Sequence, residues 1–257
     1  MLDEYSKFTM HVKRKLGIDL GSYKETQMKR RITSLRNKRG FNNFHAYGLA
    51  MDKDSLLLQE FIDRLTINVS EFYRNPERWQ ILQQKIIPLL FQNKKEITIW
   101  SAACSTGEEP YSLALALTAN FPEHSFKIIA TDLDEQALAK AKQGIYQEQA
   151  LKNLPSKLKN KYFISKQGLY HVDPKLKNMI RFKKHNLLAD NYPCKLDLIV
   201  CRNVLIYFTE SAKKNIYTNF SEALADNGVL FVGSTEQIFN PQTYNFSLID
   251  TFFYQKN

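Results

Sequence analysis

Apolar residues recur at three- and four-residue steps through the first 90 or so positions. Tyr5, Phe8, Val12 and Leu16 fall on one helical face and the pattern stops at Gly17; Met28, Ile32 and Leu35 repeat it toward Gly40. Leu57, Phe61 and Leu65 mark a further helix. Asn75-Pro76 opens another that carries Trp79, Leu82 and Ile86, with Asn placed as N-cap and Pro in the first turn. This region is predicted to be all helical.

From about residue 96 the rhythm changes. Short apolar runs predict strands over 97–101, 127–131, 180–184, 196–201 and 229–233, with helical stretches over 111–120, 135–142 and 211–225 between them. Such alternation predicts an α/β fold with a mainly parallel, doubly wound sheet covered on both faces. The apolar tail, from Phe246 to Tyr254, predicts an antiparallel pair at the sheet edge. Residues 145–180 break the rhythm. Tyr162-Phe-Ile-Ser165 and Leu169-Tyr-His-Val172, separated by Lys-Gln-Gly168, read as a small hairpin inserted into the sheet domain. Two units follow: residues 1–75, helical domain and linker, and residues 76–257, the sheet domain with its insertion at about 145–180.

Charge adds a partner to this picture. The chain carries a net charge of +10 in 257 residues. Residues 1–51 hold eleven Lys and Arg against four Asp and Glu, and residues 145–185 hold ten against two, so the remainder is acidic on balance. Two basic regions around an acidic centre point to a polyanionic partner surface. On the second helix Lys24, Arg31 and Lys38 are spaced by seven, as are Lys29 and Arg36, which makes its outer side cationic. Three Cys without C-x-x-C spacing and scattered His give no disulfide framework or metal site, no apolar run is long enough for a membrane span, and the start lacks a signal-peptide pattern. A cytoplasmic, metal-free protein is expected.

The chemistry begins at the turn after the first strand, Ser101-Ala-Ala-Cys-Ser-Thr-Gly-Glu-Glu-Pro-Tyr-Ser112. Its small residues let backbone approach a ligand, and about 25 residues on, Asp132 ends the next strand, where a doubly wound sheet meets ribose hydroxyls. An adenosine-containing cofactor is expected. A single Gly matches G-x-G-x-x-G poorly, which argues against a nicotinamide, and the absence of G-K-[ST] excludes a P-loop. Read alone, Thr106-Gly-Glu-Glu109 is a capping box and Asp132 a strand end. The functional reading sets Glu109 against a cationic ammonium. Asp197-Leu-Ile-Val-Cys-Arg-Asn-Val-Leu-Ile-Tyr-Phe208 is a buried strand whose end carries Arg202 and Asn203, and then Tyr207. Upstream, Thr66-Ile-Asn-Val-Ser-Glu-Phe-Tyr-Arg74 offers Asn68, Ser70 and Arg74, which alone would read as a cap and a surface charge.

These segments, together with Ala-Thr-Asp-Leu-Asp134 and Asn186-Leu-Leu188, occur in one order at suitable spacing. On them the chain resembles the CheR-type chemotaxis receptor methyltransferases over nearly its whole length. The resemblance implies a class I S-adenosylmethionine (SAM) domain with an N-terminal helical domain and an inserted antiparallel β-subdomain. It implies methyl transfer from SAM to glutamate side chains on the cytoplasmic helices of chemoreceptors, with S-adenosyl-L-homocysteine as product. By motif match, Asn68, Ser70 and Arg74 reach the cofactor from the linker. Glu109 sits by its methionine part, Asp132 by its ribose, Asn186 and Leu187 by its adenine, and Arg202 and Asn203 line the crevice floor. Ser70 stands where Thr is common and Cys104 where Ala or Ser is common. Arg74 and Tyr207 are the residues expected to orient the reacting groups. The basic face of 24–39, and the β-subdomain after it, are the expected receptor contacts of a monomer recruited to membrane receptor arrays. Two rival readings stand beside it: a nucleic-acid methyltransferase, disfavoured because the Arg-Asn-Val-Leu-Ile-Tyr loop lacks the prolines of an amine-methylating loop, and a non-catalytic SAM-binding adaptor.

Overall fold

The computed structural model describes residues 3–92 and 94–257. Helix α1 (Glu4–Leu16) begins where the Asp3 side chain accepts from Ser6 N–H and ends at Gly17, whose φ of 69° lets its N–H close on Lys13. Helices α2 (Glu25–Lys38), α3 (Phe44–Lys53) and α4 (Ser55–Leu65) complete the bundle. Phe8 is its centre: its ring meets Phe44 at 5.1 Å, Phe61 at 5.9 Å and Tyr47 at 6.0 Å, and all four are buried. Helix α3 lay unread in the sequence.

An extended linker leads to α5 (Pro76–Ile81), a π-helical stretch (Leu82–Ile86) and α6 (Ile87–Phe91). Asn75 takes the expected N-cap position with Pro76 in the first turn, but at φ 60° its side chain makes no cap hydrogen bond and accepts instead from Arg202 at 3.0 Å. The expected single helix is therefore two α-helical pieces joined through the π stretch.

The sheet domain then runs β1 (Glu96–Ala102), α7 (Glu108–Asn120), β2 (Ser125–Asp132) and α8 (Glu135–Gln143). The insertion follows as β3 (Ile145–Gln147), α9 (Ser156–Tyr162), β4 (Phe163–Lys166), β5 (Leu169–Val172) and α10 (Pro174–Lys177). The chain closes with β6 (Ile180–Lys184), β7 (Leu196–Cys201), α11 (Glu210–Ala223), β8 (Leu224–Val232), β9 (Phe246–Asp250) and β10 (Phe253–Lys256).

The main sheet has the order β6-β2-β1-β7-β8-β10-β9, parallel from β6 to β8 and antiparallel where β10 joins β8 and β9. The doubly wound reading and the antiparallel edge pair both hold. The hairpin of the insertion also forms, but β3 adds a third strand to give the order β3-β5-β4. In the main sheet the chain winds outward from β1 through β2 to β6, then crosses to β7 on β1's other side. Between β1 and β7 lies the switch point, outside whose strand C-termini ligands bind in this architecture.

Strand alternation divides the core between the two faces. Ile97 and Ile99 pack with α7 and the α5–α6 region, while Trp100 and Ala102 share a core with the helical bundle. The bundle is also stitched to the sheet domain by backbone. Tyr23 bridges Phe208, Lys24 N–H donates to Tyr207 O at 2.9 Å, and Thr209 N–H donates to Ser22 O at 2.9 Å. Among the described residues no helix is long and apolar enough to cross a membrane.

Candidate active site

A cleft opens at the switch point. The turn after β1 forms its floor. Ala103 (φ 62°), Ser105 (φ 49°) and Gly107 (φ 95°) all take the left-handed conformation, which costs a non-glycine residue roughly 1 kcal/mol or more. Gly107 has no alternative: a Cβ there would lie 2.8 Å from the Ala141 Cβ and 3.0 Å from the Tyr146 hydroxyl. Two contacts hold the strained turn against β2, Cys104 N–H to Thr131 O at 2.9 Å and Ser105 N–H to Asp132 Oδ2 at 2.8 Å.

Asp132 ends β2 and is buried, its second oxygen accepting from Asp134 N–H at 2.9 Å. Burial pushes its carboxyl up to about 6, against the pull of those two N–H donors. Asp134, buried too, caps α8 through Gln136 and Ala137 and accepts from Thr66 Oγ1 at 2.9 Å and Asn68 Nδ2 at 2.7 Å. Asn68 Oδ1 in turn accepts from Ser105 Oγ at 2.8 Å. Both ends of the Asn68 amide are therefore engaged with protein, and the linker is clasped onto the floor of the cleft. Thr66, Ile67, Asn68, Val69, Ser70 and Arg74 all line it.

The capping box at Thr106 does not form. Thr106 Oγ1 bonds Glu108 at 2.7 Å, Gly107 occupies the cap, and Glu109 reaches back to accept from Ser101 Oγ at 2.8 Å. The Glu109 side chain is only 13% exposed and lies 3.9 Å from Arg202 Nη1. Burial pushes it up to about 7, with Arg202 opposing. Arg202 donates through Nη2 to Arg74 O (2.9 Å) and Asn75 Oδ1 (3.0 Å), and its guanidinium lies 4.7 Å from the Phe231 ring and 5.9 Å from that of Trp79. Its Nε is buried with no hydrogen-bond partner among the described residues. Asn203 follows at φ 61°. Asn186 and Leu187 close one side and Tyr207 the other, so the cleft brings together every residue singled out in the sequence. It also includes Tyr23, Trp79 and His185, which sequence reasoning did not find.

The shifted carboxyl of Glu109 has a measurable consequence. Its usual value is 4.5 and its folded value about 7, so over that range the folded chain binds more proton than the unfolded one. Stability from this group therefore falls as pH rises. Between pH 5 and pH 7.5 the cofactor-free protein is expected to lose roughly 2 kcal/mol relative to a Glu109→Gln variant. Urea unfolding of both proteins at the two pH values measures this, and parallel changes would refute it.

The basic face of α2 needs correction. Lys29 lies over the Tyr5 ring at 4.9 Å, Arg31 over Tyr207 at 5.5 Å and Arg36 over Phe44 at 4.5 Å, and all three are half-buried. Lys24, Arg30, Lys38 and Arg39 are the members that stand exposed, with Arg39 paired to Glu60 at 2.6 Å. Aromatic rings of α1, of α3 and of the loop after β7 draw the others inward.

Two family descriptions divide the chain at the linker. "CheR methyltransferase, all-alpha domain" matches residues 3–66, and "CheR methyltransferase, SAM binding domain" matches residues 68–253. The chain is 45% identical over 254 residues to a chemotaxis protein methyltransferase of Listeria monocytogenes, covering 98% of this chain and 97% of that one. It is 36% identical to the chemotaxis protein methyltransferase of Borreliella burgdorferi, covering 99% and 94%. The corresponding Escherichia coli protein is 33% identical, with 90% and 83% covered.

Proposed function

The chain belongs to the CheR methyltransferase family and is a SAM-dependent methyltransferase, and from that premise we propose that it esterifies glutamate side chains on the cytoplasmic helices of chemoreceptors. The observation that carries this reading is the pairing of a carboxylate-lined cleft with an adjoining cationic helix that begins at the cleft's own rim. Residues 1–75 serve as docking domain and linker, and 76–257 hold the cofactor. The chain acts as a monomer, recruited from the cytoplasm to receptor arrays.

The residues suit the cofactor. The buried carboxylates of Glu109 and Asp132 suit its ammonium and ribose hydroxyls, and the buried, unpartnered Arg202 Nε lies in the same wall. Asn186 and Leu187 border the adenine, and Asn203 and Ser70 complete the lining. Asn68 acts by holding the floor, since its amide already bonds Asp134 and Ser105. When bound, SAM supplies an electrophilic methyl on a sulfonium: a carboxylate O–C bond forms, the S–C bond breaks, and its electron pair leaves on sulfur as S-adenosyl-L-homocysteine. A substrate Glu, with a reference pKa near 4.3, is already the anion at neutral pH, so no general base is required. What the chain adds is alignment and exclusion of water, effects that reach roughly 7–11 kcal/mol in well-oriented reactions. Arg74 and Tyr207, at the two edges of the cleft, orient the substrate carboxylate.

Docking follows from the same geometry. The cationic face of α2, with Lys24, Arg30 and Lys38 exposed, starts at Lys24, whose N–H donates to Tyr207 O, and the linker adds Ile67 and Val69, which line the cleft while standing 37% and 70% exposed. An acidic amphipathic helix fits that surface, and the β-subdomain offers an edge strand for a second contact. Reversing Lys24, Arg30 and Lys38 to Glu is expected to raise the receptor KM on the order of tenfold at low salt, with kcat within twofold and the difference shrinking in 0.5 M NaCl. Steady-state kinetics on receptor membranes check it; an unchanged KM removes the face from the interface.

The reaction itself is tested by transferring radiolabelled methyl from SAM to receptor-enriched membranes and treating the product with mild alkali. Label on a receptor band that leaves as methanol supports carboxyl esterification. Alkali-stable label, or label on added nucleic acid alone, overturns the substrate and leaves the cofactor domain standing.

A further inference from the structure

Glu236 is a buried acid that the proposed chemistry leaves unused. It follows β8 in a turn closed by its own N–H on Gly233 O at 2.9 Å, and it is 4% exposed. Its Oε2 accepts from Asn203 N–H at 2.7 Å and from Gly233 N–H at 2.8 Å, while Oε1 accepts from Ile206 N–H at 3.3 Å. A glutamate serving solubility would stand in water; this one is sheltered, and main-chain donors from two neighbouring strand ends meet its charge.

The surroundings are built around it. Asn203 holds φ 61° immediately beyond the end of β7. A Cβ on Gly233 would lie 2.4 Å from Glu236 Oε2 and 2.8 Å from Asn203 N, so the ends of β7 and β8 approach more closely than any side chain permits. The loop so held carries Arg202, Asn203, Val204 and Tyr207 into the cleft, the last at the end of a 3-10 turn over Leu205–Tyr207. We propose that Glu236 is a positioning residue for methyl transfer: it latches the loop after β7 through Asn203 and Ile206 and so fixes where Asn203 and Tyr207 stand. The proposal rests on the role given to Tyr207 in the proposed function.

Glu236→Gln keeps the volume but sets an NH2 group against at least one backbone N–H. In that variant the Asn203 and Ile206 amides are expected to exchange with solvent at least tenfold faster, with the amides of Leu198 and Val200 unchanged. At saturating SAM and receptor, kcat is expected to fall about tenfold. In a Tyr207→Phe background the same change is expected to cost less than threefold, because both act on one step. Equal losses in the two backgrounds, or a loosened loop with full turnover, or unchanged exchange, would each overturn the proposal. Should Tyr207→Phe alone keep full turnover, the role of Tyr207 fails instead, and exchange together with kcat then decides for Glu236 acting through Asn203. If Glu236→Gln does not fold, Glu236→Asp, which keeps the charge and draws the carboxylate back by one methylene, is read in the same way.

Discussion

Asp132→Ala is expected to weaken SAM binding by about 100-fold or more, measured by titration calorimetry. The carboxylate holds two things at once. Ser105 N–H anchors the strained turn to it, Asp134 N–H anchors the residue that clasps the linker, and the residue itself lines the cleft. Bonds to a charged group are worth about 1.5–3 kcal/mol each, and two buried donors lose their acceptor when it goes. Part of this loss falls on the empty protein as reduced stability. The remainder, about 3 kcal/mol, appears in the dissociation constant. Asp132→Asn should fall between wild type and Ala, because one end of the amide meets a backbone donor with another donor. An Ala variant that binds within fivefold of wild type would remove Asp132 from the site.

Arg202→Ala is expected to cost about 3–5 kcal/mol of folding stability, the range for removing one partner of a buried charge pair. The guanidinium links the linker to the sheet through Arg74 O and Asn75 Oδ1, fills the space against Phe231 and Trp79, and is the cation nearest Glu109. Without it the Glu109 carboxyl moves further above about 7 and takes up a proton at neutral pH. Arg202→Lys should recover little, since a single ammonium cannot reproduce a planar fork that bonds Arg74 O and Asn75 Oδ1 through Nη2 and faces Glu109 with Nη1 while lying over a ring. Urea unfolding of the three proteins decides it; a loss below 1 kcal/mol for Ala would mean that the guanidinium is not structural.

The parts of the fold that were legible in sequence share a strong period. β7, buried at every position, reads as an unbroken apolar run, and α1, α2 and α4 repeat their apolar residues at helical spacing. Helix α3 escaped because Gly48, a poor helix former, falls inside its short run of Phe44, Tyr47 and Met51. β3 escaped because it is three residues long and leaves Ile145 exposed. In the site, residue identity was legible and partnership was not. Asn75 resembled a cap until Arg202 claimed its oxygen. Half of the α2 cations resembled solvated charges until aromatic rings drew them down. Glu236, beyond a predicted strand, carried only the weak signal of an acid three residues after Gly233.

The backbone seam between Ser22–Lys24 and Tyr207–Thr209 bears on how receptor choice can be re-engineered. The segment that precedes α2 is hydrogen-bonded, main chain to main chain, with the loop bearing Tyr207. Grafting the helical bundle of one relative onto the catalytic half of another therefore joins the two not only at the covalent linker but also at this short pairing, at the Asn186–Gly17 contact and in the shared core around Trp100. A chimera cut only at the linker inherits a mismatched pairing beside the reacting group, and its turnover suffers whichever receptor it recognises. Exchanging residues 205–209 along with the bundle keeps the pairing native, so a hybrid built that way is expected to keep the turnover of its catalytic half.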